Sequence, residues 1–116
     1  MSPARPDASI RAALGASAPV FAALGDETRL RLVARLSGSG PLSITRLTEG
    51  AEVTRQAVTK HLHVLARAGL VRGVRQGRQS LWELEPRRLE LARRSLELVS
   101  QRWEEALGRL RALVER

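Results

Sequence analysis

Residues 54–71 read TRQAVTKHLHVLARAGLV, and this stretch decides the fold of the 116-residue chain. Thr54 is a residue type that caps helix N-termini. Gly69 suits the end of a helix, because glycine accepts the left-handed backbone of a C-terminal cap. Between them the apolar residues recur at helical spacing: Val58, Leu62, Leu65 and Ala66. The stretch therefore predicts an amphipathic helix that begins after Thr54 and ends near Gly69.

The opposite side of this helix carries polar side chains that suit contact with DNA. They are Arg55, Gln56, Thr59, Lys60 and His63. Glutamine pairs bidentately with adenine and arginine with guanine, and threonine offers a methyl group to thymine or a hydroxyl to a phosphate. We expect Lys60 and His63 to contact phosphates. The helix therefore predicts a surface that reads a DNA groove.

The preceding segments predict further helices. Residues 1–18 are expected to form an arm or a short helix, and Pro19 suits the first turn of the next one. Asp26 is a good cap for a third helix, in which three apolar residues recur at helical spacing: Leu30, Val33 and Leu36. A short helix is expected at residues 44–48, before the bend that leads to Thr54.

A β-hairpin is predicted after the amphipathic helix. Residues 70–84 hold two apolar runs on either side of a glycine turn at Gly77, with Arg75 and Arg78 at the tip. A short helix, a bend, a capped helix and a hairpin form a winged helix-turn-helix, in which the second helix enters the major groove and the hairpin lies over the backbone. The predicted fold class is mainly α with a small β-hairpin wing, and residues 19–85 form the DNA-binding unit of a single compact domain.

Residues 86–116 predict one long C-terminal helix with two apolar lines. The first line repeats at spacings of three and four, as a coiled-coil seam does, and holds Leu89, Ala92, Leu96, Val99, Trp103, Ala106, Leu110 and Leu113. The second line holds Leu91, Leu98, Leu107 and Val114. We expect one line to pack on the chain's own domain and the other on a second copy, which predicts a homodimer; in the alternative, both lines cover the core of a monomer.

Positive charge is concentrated in the middle of the chain. The net charge is +8, and residues 54–78 contain six arginines and lysines and no acid, whereas each flank is close to neutral. Such a segment is where a polyanion is expected to bind, and double-stranded DNA is the predicted partner. The alternative is that the run is only a solvated face.

Two stretches, FAALGDETRLRLVARL and LTEGAEVTRQAVTKHLHVLARAGLVRGVRQGR, resemble the ArsR family of bacterial winged-helix repressors. The resemblance covers residues 21–84. It implies a cytoplasmic repressor that binds a palindromic operator as a homodimer through its terminal helices. The DNA contacts it implies are Thr54, Arg55, Gln56, Thr59 and His61 on the helix and Arg75 and Arg78 on the wing. His61 lies near the core edge, so we expect it to pack as well as to bind a phosphate. The family often has a glycine in the bend where this chain has Glu52 after Gly50.

Metal sensing, the activity that the family name suggests, is not expected. The chain has no cysteine, and residues 86–116 contain no histidine or aspartate, so no soft or borderline metal finds an adequate ligand set and no cofactor is predicted. An enzyme is also not expected, because there is no glycine-rich phosphate loop and the acids are scattered. No membrane segment or leader is predicted. Two alternatives stay open: a sensor of a small organic effector, with a cleft near Trp103, and a winged-helix protein-interaction module.

Overall fold

A computed structural model of the chain describes residues 4–115, with side chains from residue 8 onward. Within residues 4–115, five helices and three strands follow one another in the order α1, α2, β1, α3, α4, β2, β3, α5. Their bounds are α1 Ala4–Leu24, α2 Glu27–Ser39, β1 Leu42–Ser43, α3 Ile44–Thr48, α4 Arg55–Arg67, β2 Val71–Gln76, β3 Gln79–Leu84 and α5 Pro86–Val114. The mainly helical winged helix-turn-helix predicted from the sequence is confirmed.

The core lies between α4 and the helices that precede it. Fully or nearly fully buried side chains come from α1, α2, α3, α4, the turn before β2, β2 itself and α5: Val20, Ala23, Leu32, Val33, Leu36, Leu47, Val58, Leu62, Leu65, Leu70, Val71 and Ala92. The stripe predicted for α2 is partly wrong, because Leu32 is buried and Leu30 is half exposed. The rotation of α2 brings Leu32, Val33 and Leu36 against the core.

The three strands form one antiparallel sheet in the order β1-β3-β2. The hairpin pairs Val71 with Leu84 at its base and Gln76 with Gln79 beside the turn. Gly77 in that turn has a φ of 61°, a left-handed conformation that favours glycine. The two-residue strand β1, which the sequence did not predict, pairs Leu42 with Trp82 and so ties the start of α3 to the wing.

The boundary predicted at Pro19 is wrong, because α1 continues through that residue. A proline inside a helix removes one backbone hydrogen bond and costs about 3 kcal/mol or more. Tertiary contacts on both sides hold the helix together. Ser17 Oγ lies 2.6 Å from Ser95 Oγ on α5, and Val20 is completely buried.

Helices α1 and α5 pack against each other in antiparallel directions. One of the Ser17 and Ser95 hydroxyls donates to the other at 2.6 Å, and the other hydroxyl can donate to a carbonyl of the facing helix: Ser17 Oγ lies 3.4 Å from the Leu91 carbonyl oxygen and Ser95 Oγ 3.1 Å from the Ala13 carbonyl oxygen. Leu89, predicted to lie in the seam, is half-buried against the chain's own core, so only part of its side chain is left for a second copy. The rest of the seam lies further along α5.

Within residues 4–115, no single helix is long and apolar enough to cross a membrane. Residues 8–24 and 27–39 reach that length and composition only when counted together, and they meet at an angle of 100°.

Replacing two of the glycines by alanine should change the stability of the protein in opposite directions. Gly69 has a φ of 79°, and an added Cβ would lie 2.9 Å from Arg88 Cγ, whereas Gly108 lies inside α5 with open space around it. We expect Gly69→Ala to lower the free energy of unfolding by about 1–2 kcal/mol and Gly108→Ala to raise it by about 0.5–1 kcal/mol. Urea denaturation at one fixed protein concentration measures both. Equal effects from the two substitutions would contradict this backbone assignment.

Candidate nucleic-acid interface

The orientation of α4 is set by its cap and its buried face. Thr54 Oγ1 accepts a hydrogen bond from the Ala57 backbone N–H at 3.1 Å, so the helix begins where the sequence predicts. Val58, Leu62 and Leu65 have no exposed surface. Because a helix turns by 100° per residue, burying this face directs the opposite one to solvent.

The outward face carries the polar side chains predicted to contact DNA. Arg55, Gln56, Lys60 and His63 are exposed, and Thr59 is half-buried beside them. The Thr59 hydroxyl donates to the Arg55 carbonyl at 2.9 Å. Its donor is therefore occupied within the helix, and its methyl group is the part that is free to contact a thymine.

His61 differs from the other predicted contact residues because it lies at the edge of the buried face. Its Nδ1 is 3.1 Å from Arg29 Nη1 and 3.8 Å from Asp26 Oδ2. The predicted packing role of His61 thus has specific partners on the first turn of α2. These partners could not be predicted from the sequence, because they lie more than 30 residues away in the chain.

The wing presents two of its arginines at the tip. Arg75 pairs with Ser80 across the hairpin, and Arg78 lies in the turn that follows Gly77. Both side chains are exposed, and neither makes an ion pair with another residue of the described part of the chain. They are placed where a DNA backbone could be reached from the end of the hairpin.

Arg72, at the base of the wing, is neutralised within the chain. Its Nε donates to Glu83 Oε1 at 2.8 Å, and its Nη1 donates to Glu85 Oε2 at 3.1 Å. The hydrogen bond to Glu83 and the charges of both carboxylates raise the pKa of Arg72. The positive charge of residues 54–78 is therefore only partly available to DNA, because two acids follow that segment. Glu83 on β3 is brought opposite Arg72 by strand pairing, and Glu85 caps α5 directly after the strand.

An aromatic contact joins α4 to the wing. The rings of His63 and Trp82 lie 6.0 Å apart and are tilted by 49°. Trp82 is also the β3 residue that pairs with Gly73 on β2 and with Leu42 on β1. This contact was not predicted from the sequence. Because of it, α4 and the wing form one continuous surface.

A cavity of about 390 Å³ lies between α2 and the bend that leads into α4. Leu32, Leu47, Val53 and Val58 supply its apolar wall, and Arg35 lines it while donating to the Glu49 carbonyl at 3.1 Å. Trp103, near which an effector cleft was predicted, does not line it and is 64% exposed on α5.

Side chains that could bind a metal are dispersed in the part of the chain that the structure describes. No group of three or more histidine, aspartate or glutamate side chains converges there. His61 and Asp26 approach each other, but the third member of that cluster is the arginine Arg29.

Comparison with known proteins agrees with this geometry. A helix-turn-helix domain family matches residues 24–74. The structure of an ArsR-like transcriptional regulator from Rhodococcus sp. RHA1 superposes with a TM-score of 0.72 at 34% identity, covering 85% of this chain and 92% of that one.

Two relatives of known sequence extend the comparison. A helix-turn-helix transcriptional regulator of Mycobacterium tuberculosis is 39% identical over 65% of this chain and 69% of its own length. Another from Bacillus subtilis is 42% identical over 51% of this chain and 71% of its own length. The chain therefore belongs to the ArsR family of winged helix-turn-helix proteins and is a DNA-binding transcriptional regulator.

Proposed function

We propose that this regulator is a repressor that binds a palindromic operator as a homodimer, with α4 in the major groove of each half-site and the wing tip on the flanking backbone. The observation that carries this proposal is the outward face of α4, where Arg55, Gln56 and Lys60 are exposed beside a neutralised wing base. Base edges in the major groove present the donors and acceptors that arginine and glutamine match.

The proposed division of labour follows from how far each side chain can reach. Arg55 and Gln56 occupy the first turn of α4, which enters the groove most deeply in helix-turn-helix proteins. Thr59 follows one turn later, and Lys60 and His63 lie nearer the phosphates. Arg75 and Arg78 anchor the wing by charge, since phosphate contacts position a protein without reading sequence.

The second copy is proposed to bind along α5 from Leu96 to Leu113. Leu96, Val99, Trp103, Leu110 and Leu113 continue the three-and-four spacing, and each is at least 45% exposed. An exposed apolar stripe of this kind marks an interaction surface, and the heptad pattern is the one that packs against a matching helix. A two-fold dimer also presents two copies of α4 to a palindrome.

The same proposal excludes metal control of DNA binding. The chain contains no cysteine, and its two histidines, His61 and His63, are both on α4. His61 contacts Arg29, and His63 lies on the exposed side next to Trp82. His61 approaches one carboxylate, that of Asp26, but among the described residues no third ligand converges with them, and zinc requires at least three protein ligands.

Side chains that read bases and side chains that anchor the backbone should differ in how their removal changes the salt dependence of DNA affinity. Each lost phosphate contact reduces the slope of log affinity against log salt concentration by about 0.9, so Arg75→Ala with Arg78→Ala should flatten it by up to roughly 3–4 in a dimer. Arg72→Ala is the matched control, because its charge is already neutralised by Glu83 and Glu85, and we expect it to leave the slope nearly unchanged. Gln56→Ala should cost about 1–3 kcal/mol on the selected site and little on random DNA.

Fluorescence anisotropy with a duplex selected from a random pool, and with a random duplex, measures these quantities. If the wing variant loses sequence preference while Gln56→Ala changes only the salt slope, the two roles are reversed. Failure of the wild type to prefer any duplex over random DNA would contradict the proposed function.

The proposed dimer predicts that charge on the seam dissociates it. Trp103→Glu with Leu110→Glu should give a monomer in analytical ultracentrifugation and weaken operator binding at least tenfold, because two carboxylates would have to be buried between helices. Gln101→Glu with Gly108→Glu adds the same charge, seven residues apart, on the opposite side of α5, and should leave the dimer intact. A wild-type protein that sediments as a monomer at micromolar concentration would refute the seam.

Metal independence has a direct test. Zinc, cadmium, arsenite or a chelator should change the affinity for the selected duplex by less than twofold. A tenfold change in affinity with any of them would show that the protein has a metal-binding site that controls DNA binding.

A further inference from the structure

The contact between His61 and the first turn of α2 links the DNA-reading helix to the rest of the domain. The Asp26 carboxylate caps α2 by accepting from the Arg29 backbone N–H at 3.0 Å. The Arg29 side chain donates from Nε to the Ala23 carbonyl at the end of α1 and places Nη1 3.1 Å from His61 Nδ1. One guanidinium group thus connects α1, α2 and α4.

The chemistry of this contact requires a neutral histidine. A guanidinium has only donors, so the ring nitrogen that faces it must be the unprotonated acceptor. The structure therefore fits the tautomer that carries its hydrogen on Nε2. Protonation would place a hydrogen and a positive charge on Nδ1, 3.1 Å from Arg29 Nη1. The charged ring can no longer accept from Arg29, and the acceptor within reach becomes Asp26 Oδ2, 3.8 Å away.

The charged groups around His61 come from one direction. Asp26 and Arg29 face it from the start of α2, and the Arg29 hydrogen bond lowers the pKa of Asp26, so that its carboxylate stays charged through the range in which histidine titrates. The α1 residue in the network is Ala23, through its carbonyl. Among the described residues, no ionisable group of α3 or β2 is hydrogen-bonded or ion-paired to His61. On α4 itself the adjacent cation, Lys60, is exposed.

We propose that His61 is a positioning residue for α4, and that its protonation releases α4 from Arg29 and weakens operator binding as the pH falls. The inference rests on the proposed function, since it needs α4 to read DNA. The position of α4 matters because side chains at a groove must meet base edges within hydrogen-bonding distance. By linkage, if the neutral form binds the operator better, then operator binding favours release of a proton from His61.

The direction of this effect is opposite to the general effect of pH on DNA binding. Protonating an exposed histidine such as His63 adds positive charge and should strengthen binding to a polyanion. A decrease in affinity towards low pH therefore points to a group whose neutral form is required, which is the role assigned to His61.

The test is operator affinity from pH 5.5 to 7.5 at constant ionic strength, with a duplex selected at pH 7.5. Hydrogen bonds to charged groups are among the stronger ones in proteins, so we expect the wild type to lose roughly tenfold or more in affinity when protonation removes this one. In His61→Asn the amide oxygen can take the place of Nδ1 and accept from Arg29 without titrating. This variant should have the same affinity at pH 5.5 as it has at pH 7.5.

Two further variants complete the design. His61→Ala should bind weakly at both pH values, because it removes the acceptor, and His63→Asn should retain the wild-type loss at low pH. A wild-type affinity that stays flat or rises towards pH 5.5, or a His61→Asn variant that titrates like the wild type, overturns the inference while leaving the proposed function intact. A chain that selects no duplex at pH 7.5 overturns both.

A measurement on the wild type alone guards against variants that fail to fold. The ¹⁵N chemical shift of His61 Nδ1 at pH 7.5 distinguishes an unprotonated acceptor from a protonated nitrogen. We expect the unprotonated form in the free protein. A proton on Nδ1 at that pH overturns the inference.

Discussion

Burial of the apolar face of α4 is the contact on which the rest of the structure depends. Val58, Leu62 and Leu65 are completely buried, and each such side chain contributes about 1.5–3 kcal/mol relative to exposure. Turning the helix by even one residue would expose part of this face and bring a histidine, His61 or His63, to the buried position of Leu62. The hydrophobic effect therefore fixes which side of α4 faces solvent, and Arg55 and Gln56 become available to DNA as a consequence.

Ion pairing within the chain then decides which positive charges are available to a polyanion. Arg72 is held by Glu83 and Glu85, and on α5 Arg93 is held between Glu90 and Glu97, which raises its pKa. These exposed pairs contribute little to stability, but they remove charge from the base of the wing and from α5. Arg55, Lys60 and Arg67 on α4 and Arg75 and Arg78 at the wing tip have no ion pair recorded in the described part of the chain and lie in a segment that contains no acid, so their charge is available where DNA is proposed to bind.

The features predicted correctly from the sequence are those specified by neighbours in the chain. Thr54 caps α4 through the residue three positions later, and Gly77 sets the hairpin turn locally. The features that the sequence did not predict depend on contacts between residues far apart in the chain. The helical propensity rule for Pro19 was overridden by packing of α1 on α5, and Leu89 was drawn into the chain's own core.

The candidate site shows the same division. The outward residues of α4 could be predicted from a period of 3.6, whereas the neutralisation of Arg72 depends on strand register, and the partners of His61 depend on how α2 crosses α4. No pattern within either segment specifies such a contact, because it exists only after both elements have packed.

Backbone amide chemical shifts of the ¹⁵N-labelled protein, recorded with and without a selected duplex, test the central claim most directly. We expect the largest chemical-shift changes at residues 54–60 and 75–78, and little change on the exposed side of α2 at Ala34 and Ser37. Changes centred on α2 or on the distal half of α5, with residues 54–60 unaffected, would contradict that claim.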